Sequence, residues 1–419
     1  MIDVFSMGRF LGKLGGMISY QDARELVIAR VRGIAGAPLS ESVPLREALG
    51  RVLAREILSD REYPPFDRSI RDGYAVRAAV TKPGARLRCI GELKAGDAPS
   101  ISTAAGTCVQ IMTGAALPDG ADAVVMVEYT SREGDTVQLD RAVKVGQHVV
   151  RRGSEQAAGL TVLPAGTRMG FAEMAAAAQV GAANPVVMRK PRVAILTTGD
   201  EVVDFAATPG PFQIRNSNSV SLAAQVAMLG AELVILGNAE DSLDDLREKI
   251  SVGLEADLLV LSGGVSMGKY DLVEPVLCEL GAEILFDAVA IRPGKPVVFA
   301  MCKGKPVFGL PGNPVSAMVT FELFVRPAID LLSGELEPRS LPFTGAVLEV
   351  ALLEKPGLTH FLPAKLTWSA EAARVAPIVW QGSGDVGAMS RANCLLVVPA
   401  DRERIEAGEH VKVLPRGFC

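Results

Sequence analysis

The chain reads as a multidomain protein of α/β plus β class. The expected parts are a central three-layer α/β domain with a mostly parallel sheet, a β-rich inserted domain, a mixed helical linking domain and a small C-terminal β-barrel-like domain. Three observations predict this. From Lys190 to Ser333 short apolar strands alternate with helical patterns, as in a sheet covered on both faces. From Ala75 to about Gln156 glycine and short β-type runs dominate, and short β patterns return from Leu336 to the end. The length of 419 residues suggests about three domains. Glycine supplies 42 residues, above the usual share of roughly 7%, which fits many tight turns.

The elements follow in order. Residues 1–16 carry Arg9 and Lys13 and lack the continuous apolar core of a signal peptide. They read as a flexible extension, with Met17 as an alternative start. Gln21 to Gly33 is a first helix, with Ala23, Leu26, Val27 and Val31 at helical spacing. Leu45 to Leu58 reads as a second helical segment. Glu62 to Asp67 is an extended link, because Pro64 and Pro65 keep the residues before them out of the helical region. Cys108 to Met112 and Ala123 to Glu128 are strands of the β-rich insert. Phe171 to Val180 is an alanine-rich helix ended by Gly181.

In the α/β segment, strands at Arg192 to Leu196, Glu232 to Leu236 and Asp257 to Leu261 precede helices at Ser219 to Leu229, Ser242 to Leu254 and Leu272 to Leu280. A strand at Lys305 to Phe308 then leads into an apolar helical run from Ala317 to Leu332. Gly345 to Leu352 and His410 to Leu414 are strands of the terminal β domain.

Composition narrows the function. A formal charge of −5 argues against a nucleic-acid protein held by bulk basic charge. Six scattered cysteines with no CxxC point to neither a zinc site nor a redox pair, and read as the reduced thiols of a cytoplasmic protein. His148, His360 and His410 lie far apart in sequence, with no HExxH. No apolar run reaches the ~20 residues that span a bilayer, so no membrane is expected.

Ligands of open parallel sheets sit beyond the carboxyl ends of the strands. Three segments fall there: Thr197-Thr198-Gly199-Asp200-Glu201, Ser262-Gly263-Gly264-Val265-Ser266-Met267-Gly268, and Gly309-Leu310-Pro311-Gly312-Asn313-Pro314-Val315-Ser316. Each offers hydroxyls, amides and glycines that admit a ligand to the main chain. In the third, Asn313 suits the N-cap and Pro314 the first helical position, which leaves the Val315 and Ser316 amides facing an anion. Together the three segments predict a phosphate or oxyanion pocket. It is no standard nucleotide site, since neither a Walker A loop nor GxGxxG is present. Arg292-Pro293-Gly294-Lys295-Pro296 offers two cations on a stiff backbone. Glu201, Asp241 and Asp271 recur at the same edge. Carboxylates beside an anion pocket repel the ligand unless a cation lies between them, and Mg²⁺ with oxygen ligands suits that role. Each of these acids has a plain alternative as a helix cap, Asp271 most of all.

These motifs resemble the molybdopterin molybdenumtransferases, the MoeA and gephyrin E-domain family. The matching runs are PPFDRSIRDGYAV (Pro64 to Val76), IMTGAALPDGADAVV (Ile111 to Val125), TTGDE (Thr197 to Glu201), LSGGVSMGKYD (Leu261 to Asp271), RPGKP (Arg292 to Pro296) and GLPGNPVS (Gly309 to Ser316), in the family's order. The resemblance implies a homodimer of four-domain subunits: a discontinuous linking domain (17–60 and 157–188), the insert (61–156), the molybdopterin-binding α/β domain (189–335) and the terminal β domain (336–419).

It implies a cytoplasmic enzyme that hydrolyses adenylylated molybdopterin and inserts molybdate into its dithiolene, releasing AMP with Mg²⁺ assistance. The upstream adenylyltransferase and recipient molybdoenzymes are further partners. Carried over by motif, Asp72, Thr113, Glu155, Glu201, Asp241 and Asp271 are the catalytic residues, with Glu201, Asp241 and Asp271 around the metal. Thr198, Gly199, Ser262, Gly263, Gly264, Ser266, Arg292, Lys295, Pro311, Gly312, Asn313, Pro314 and Ser316 would bind substrate.

The chain departs from the family pattern at several places. Glu155 stands where many members carry Asp, Glu274 where many carry Lys, and Leu358 and Pro363 where many carry Arg in PGRxxFxR. Gln381 to Asp385 keeps a terminal-domain motif. Two other functions fit parts of the pattern: adenylyl transfer from ATP to molybdopterin, whose enzymes share the α/β domain, and a non-catalytic scaffold.

Overall fold

The computed structural model describes residues 17–34, 39–265 and 272–416. They form two compact units. One comprises the chain up to Glu41, Gly50–Ala54 and everything from Val186 on, and the other Ser42–Leu49 and Arg55–Pro185.

The larger unit is built on a six-stranded sheet in the order Glu232–Ala239, Arg192–Thr198, Leu258–Ser262, Lys305–Leu310, Pro296–Cys302, Glu283–Ala288. The first four strands are mutually parallel, as the alternating pattern predicts. The fifth runs against both its neighbours. Its turn explains the reversal. Lys303 and Gly304 both take positive φ, 49° and 74°, between the paired residues Cys302 and Lys305, which is the geometry of a two-residue hairpin. The Lys-Gly pair was the available signal for this strand.

Side chains alternate across the sheet to make two cores. Val193 and Ile195 face a cluster with Phe299, Phe308 and Phe324, while Ala194 and Leu196 face Leu246, Ile250, Val276 and Leu277. Phe299 and Phe308 stack with centroids 4.9 Å apart. The first helix, Tyr20–Ile34, buries Ala23, Val27 and Val31 in the phenylalanine-rich core.

The long apolar run is helical as expected, but in three pieces. Pro314–Thr320 and Arg326–Leu332 flank a π-helical stretch, Phe321–Val325. Pro327 lacks the amide that would bond the Leu323 carbonyl, and the wide turn falls just before it. Fully buried Asp330 then ties the helix to the following link. It accepts from the Arg339 amide at 3.0 Å and from the guanidinium at 2.9 and 2.5 Å.

The terminal strands close into a five-stranded barrel: Thr359–Trp368, Ala373–Pro377, Thr344–Leu348, His410–Pro415 and Cys394–Val398, with the first and last paired directly. The short strand Ile291–Arg292 adds to it in parallel, Arg292 opposite His360. The RPGKP run thereby joins the α/β layer to the barrel.

The second unit holds a six-stranded sheet in the order Ala123–Met126, Gly73–Val76, Thr107–Ile111, Arg86–Leu93, Thr136–Leu139, Thr130–Glu133. Cys89 and Cys108 sit opposite each other in it, so the scattered cysteines do contain one pair. Burial, with the Cys89 thiol alongside, pushes the Cys108 thiol up to about 12, which leaves it inert. The helix Phe171–Gln179 ends as expected. Gly181 is left-handed at φ 74°, and the Ala182 amide bonds the Ala177 carbonyl at 3.0 Å.

The predicted helix from Leu45 to Leu58 is not formed. Only Leu45–Glu47 makes a single 3₁₀ turn, Gly50 turns left-handed at φ 74°, and Ile57–Leu58 pairs with Thr161–Leu163. Val52, Leu53 and Ile57 supply apolar side chains that suit a strand as well as a helix, and here tertiary pairing decides.

Gly73 is packed against a neighbouring strand, so that a Cβ there would fall 2.0 Å from the Val125 carbonyl oxygen. Gly73→Ala should therefore lower stability by roughly 3 kcal/mol or more, read as a drop in the urea midpoint of the second unit.

Candidate active site

Register puts three strand ends side by side. Thr197 pairs with Ser262, and Ser262 with Leu310. The loops that leave them are glycine-lined for steric reasons. A Cβ on Gly263 (φ 99°) would lie 2.7 Å from the Thr198 carbonyl oxygen and 2.8 Å from its Oγ1, and Gly199 takes φ 130°, a backbone conformation that favours glycine. The Asn218 side chain joins two of the loops, donating to Ser262 Oγ at 2.9 Å and to the Gly312 carbonyl at 2.8 Å. Asn216 caps its helix through the Ser219 amide and donates to Thr197 Oγ1 at 2.8 Å.

These loops surround a cavity of about 680 Å³ that brings together Thr198, Gly199, Glu201, Asp241, Ser262, Gly263, Gly264, Pro311, Gly312, Asn313 and Pro314. Thr198 Oγ1 and Asn218 Oδ1 belong to its lining, are buried and have no hydrogen-bond partner among the described residues. Buried polar atoms are rarely left so, and a polar ligand would satisfy them.

Arg292, Lys295 and Ser316 line an adjoining cavity of about 410 Å³ that shares Pro296, Pro311 and Asn313 with the first. Its further wall comes from Leu358, Trp380, Gly382 and Ser383. The sequence reading put cations and carboxylates at one edge. The structure separates them into neighbouring chambers.

In the second unit, Asp72 Oδ1 accepts both the Thr113 amide, at 2.6 Å, and the Thr113 hydroxyl, at 2.8 Å. These two bonds, the amide first, hold its carboxyl below the ordinary aspartate value. Glu155 pairs with Arg68 at 2.9 Å. The next residue, Ser69, receives the Gly114 amide at 2.8 Å, so the three sequence-predicted residues belong to one hydrogen-bonded patch. Asp67 braces the patch. Burial opposes its ionisation, yet the Arg152 amide at 2.8 Å and Arg151 at 2.5 Å keep its carboxyl low.

Comparison with known proteins agrees with this layout. Residues 18–181 match the MoeA N-terminal region (domain I and II), 194–331 a probable molybdopterin binding domain, and 345–415 the MoeA C-terminal region (domain IV). The chain is 33% identical to a molybdopterin molybdenumtransferase of Staphylococcus aureus over 89% of its own length and 90% of the relative's. It is 34% identical to that of Bacillus subtilis over 90% and 89%. The chain belongs to the molybdopterin molybdenumtransferase family. A relative from Nostoc is 38% identical over 76% of this chain and 75% of its own. Crystal structures of the molybdopterin biosynthesis MoeA protein from Pyrococcus horikoshii superpose with TM-scores of 0.76 and 0.80, at 33% and 29% identity, covering 96% and 95% of this chain and 100% of theirs.

Some expectations about the site need correction. The Val315 amide is not open to a ligand, because it donates to the Ser383 carbonyl at 2.9 Å. Asn313 occupies the N-cap position, but its side chain makes no cap bond, while Pro314 takes the first turn as expected. Asp385, in the terminal motif, caps the helix Val386–Arg391 through the Ala388 amide at 2.8 Å. Ser266 and Asp271 lie outside the described residues. Among the described residues no three acidic, histidine or cysteine side chains gather as a metal site. The sequence reading missed Asn216 and Asn218. The signal was the polar run Arg215-Asn216-Ser217-Asn218-Ser219 ahead of an amphipathic helix, which reads as ordinary capping.

Replacing Thr113 by alanine removes the hydroxyl bond to Asp72 and keeps the amide bond. The Asp72 carboxyl, held down in the native protein, should then titrate at higher pH while staying within the acid range. A carboxyl-carbon NMR titration of Thr113→Ala against the parent protein reads the change, and an unmoved midpoint would contradict it.

Proposed function

We propose that the protein inserts molybdate into adenylylated molybdopterin, releasing AMP and forming the molybdenum cofactor. The observation that carries this reading is the pair of adjoining chambers. One is lined by glycine loops, unsatisfied polar atoms, two carboxylates and Arg215, the other by Arg292 and Lys295. The larger takes the pterin with its phosphates, and the smaller takes the doubly negative molybdate beside Arg292 and Lys295.

The chemistry divides accordingly. Water cleaves the phosphoanhydride link to AMP. Two dithiolene thiols each form a bond to molybdenum, and their protons leave with one molybdate oxygen as water. Glu201 and Asp241, which line the larger cavity, accept and return protons at the phosphate end in this reading. Asp72, Thr113 and Glu155, in the second unit, are read as further functional residues on the family's motifs. Glu201 and Asp241 would also hold Mg²⁺, with Asp271 as a third ligand. Two carboxylates fit an ion that keeps several waters and takes its remaining ligands from substrate phosphates. When bound, the ion neutralises phosphate charge beside the acids. The thiolates come from the pterin, in keeping with the inert Cys108 and the absence of any cysteine from the lining of either cavity.

The reading includes a homodimer as the working particle and a cytoplasmic location. Among the described residues no helix is long and apolar enough to cross a membrane.

The test is incubation with adenylylated molybdopterin, molybdate and Mg²⁺, following AMP release and metal in the product. Glu201→Gln and Asp241→Asn should keep folding and pterin binding and lose roughly 10²-fold or more in AMP release. Chelation of Mg²⁺ should have the same effect. Formation of adenylylated pterin from ATP and free molybdopterin would favour the upstream reaction instead, and unchanged insertion in both variants would leave a scaffold.

A further inference from the structure

We propose that Glu354, backed by His360, is a positioning residue that holds the Arg292 guanidinium on the wall of the smaller cavity and thereby sets molybdate affinity. This rests on the assignment of molybdate to that cavity.

The geometry is a three-group seam between the α/β layer and the barrel. Arg292 NH1 lies 3.5 Å from Glu354 Oε2, and His360 Nδ1 lies 2.9 Å from the same oxygen. Both contacts centre on one carboxylate oxygen, which pulls on the ring and on the guanidinium alike. The main chain fixes all three groups. Arg292 and His360 face each other across parallel strands, the Thr359 amide donates to the Ala290 carbonyl at 3.0 Å, and the Glu354 amide to the Glu403 carbonyl at 2.9 Å. The Arg292 side chain is 53% exposed and Glu354 only 19%, so an exposed cation is tethered to a more enclosed acid.

The tether matters because of what stands opposite. Leu358 and Trp380 line the same cavity and offer an oxyanion no charge. Among the described residues lining it, positive charge comes from Arg292 and Lys295. A guanidinium free to swing into solvent would leave a doubly negative ligand half-neutralised. Fixing it in advance removes that ordering cost from binding.

His360 adds a condition. It is buried, and burial holds its imidazole below the ordinary histidine value against the pull of Glu354, while Arg292 pushes the same way as burial. At neutral pH it is uncharged, and Glu354 serves Arg292. Glu354 and Arg292 are the charged groups that act on it. Acidification below the ordinary histidine range charges the ring, which then takes the carboxylate and repels the guanidinium.

The experiment measures KM for molybdate, kcat and KM for adenylylated molybdopterin across pH 5–8 with the full chain. Arg292→Ala should raise the molybdate KM at least about tenfold. Glu354→Gln should raise it about 3- to 10-fold, the range expected of a part-exposed pair, with kcat and the pterin KM unmoved. The double variant should be no worse than Arg292→Ala, since Glu354 acts through that residue. His360→Gln should abolish the acid-side rise in molybdate KM, an independent reading if Glu354→Gln folds poorly. If Arg292→Ala raises the KM while Glu354→Gln does not, or if the double variant is additive, the positioning role is wrong and the molybdate assignment stands. If Arg292→Ala changes nothing, the assignment itself fails and the inference with it.

Discussion

The architecture depends on one steric constraint: three loops meet at the end of a parallel sheet with no room for side chains between them. A Cβ on Gly263 would come within 2.7 Å of the Thr198 carbonyl oxygen, and one on Gly264 within 3.0 Å of the Thr198 Oγ1. Contact this close puts main-chain groups and hydroxyls on the surface of a cavity. It also obliges every buried polar atom to find a partner. Asn218 meets most of that demand by bonding Ser262 and Gly312 together. What remains unmet, at Thr198 Oγ1 and Asn218 Oδ1, is the part left for a ligand. The apolar alternation of the Arg192–Thr198 and Leu258–Ser262 strands supplies the stiffness that holds the loops to this arrangement.

Charge is distributed unevenly over that frame: among the described residues Glu201 and Asp241 share their cavity with Arg215, while Arg292 and Lys295 line the other. A site for phosphate and molybdate together needs cations, yet proton transfer and a divalent ion need carboxylates. Mixed in one chamber, Glu201, Asp241, Arg292 and Lys295 would pair with each other. Adjoining chambers that share Pro296, Pro311 and Asn313 keep them apart. Stiff residues, two of them prolines, suit such a partition.

Much of this was legible in the sequence because the relevant signals are local. Strand-helix alternation marks the α/β layer, and glycine with hydroxyl residues at a strand end marks a ligand loop. The failures are nonlocal. Leu45 to Leu58 carries an apolar pattern compatible with helix or strand, and pairing of Ile57–Leu58 with Thr161–Leu163 across about a hundred residues decides it. Asn218 was hidden because an asparagine near a helix start looks like a cap, and only the fold brings Gly312 to it. Arg292 and Lys295 were expected at the edge that carries the acids, whereas Ile291–Arg292 pairs with the barrel, a contact no local pattern encodes.

The barrel changes the chemistry of the loop most conspicuous in the sequence. Gly312-Asn313-Pro314 opens a helix, and an open helix start attracts anions through its amides and dipole. The Ser383 carbonyl of the barrel takes the Val315 amide and so closes part of that start. The loop remains, but as a wall: Pro311 and Asn313 face both chambers, and Ser316 only the cationic one. Anion binding is thereby shifted from a helix terminus, which attracts any anion, to side chains whose placement the chain can control. A guanidinium tethered to a part-buried carboxylate is such a group. A site that must receive molybdate beside a phosphate gains selectivity from fixed charge that a bare helix end would not provide.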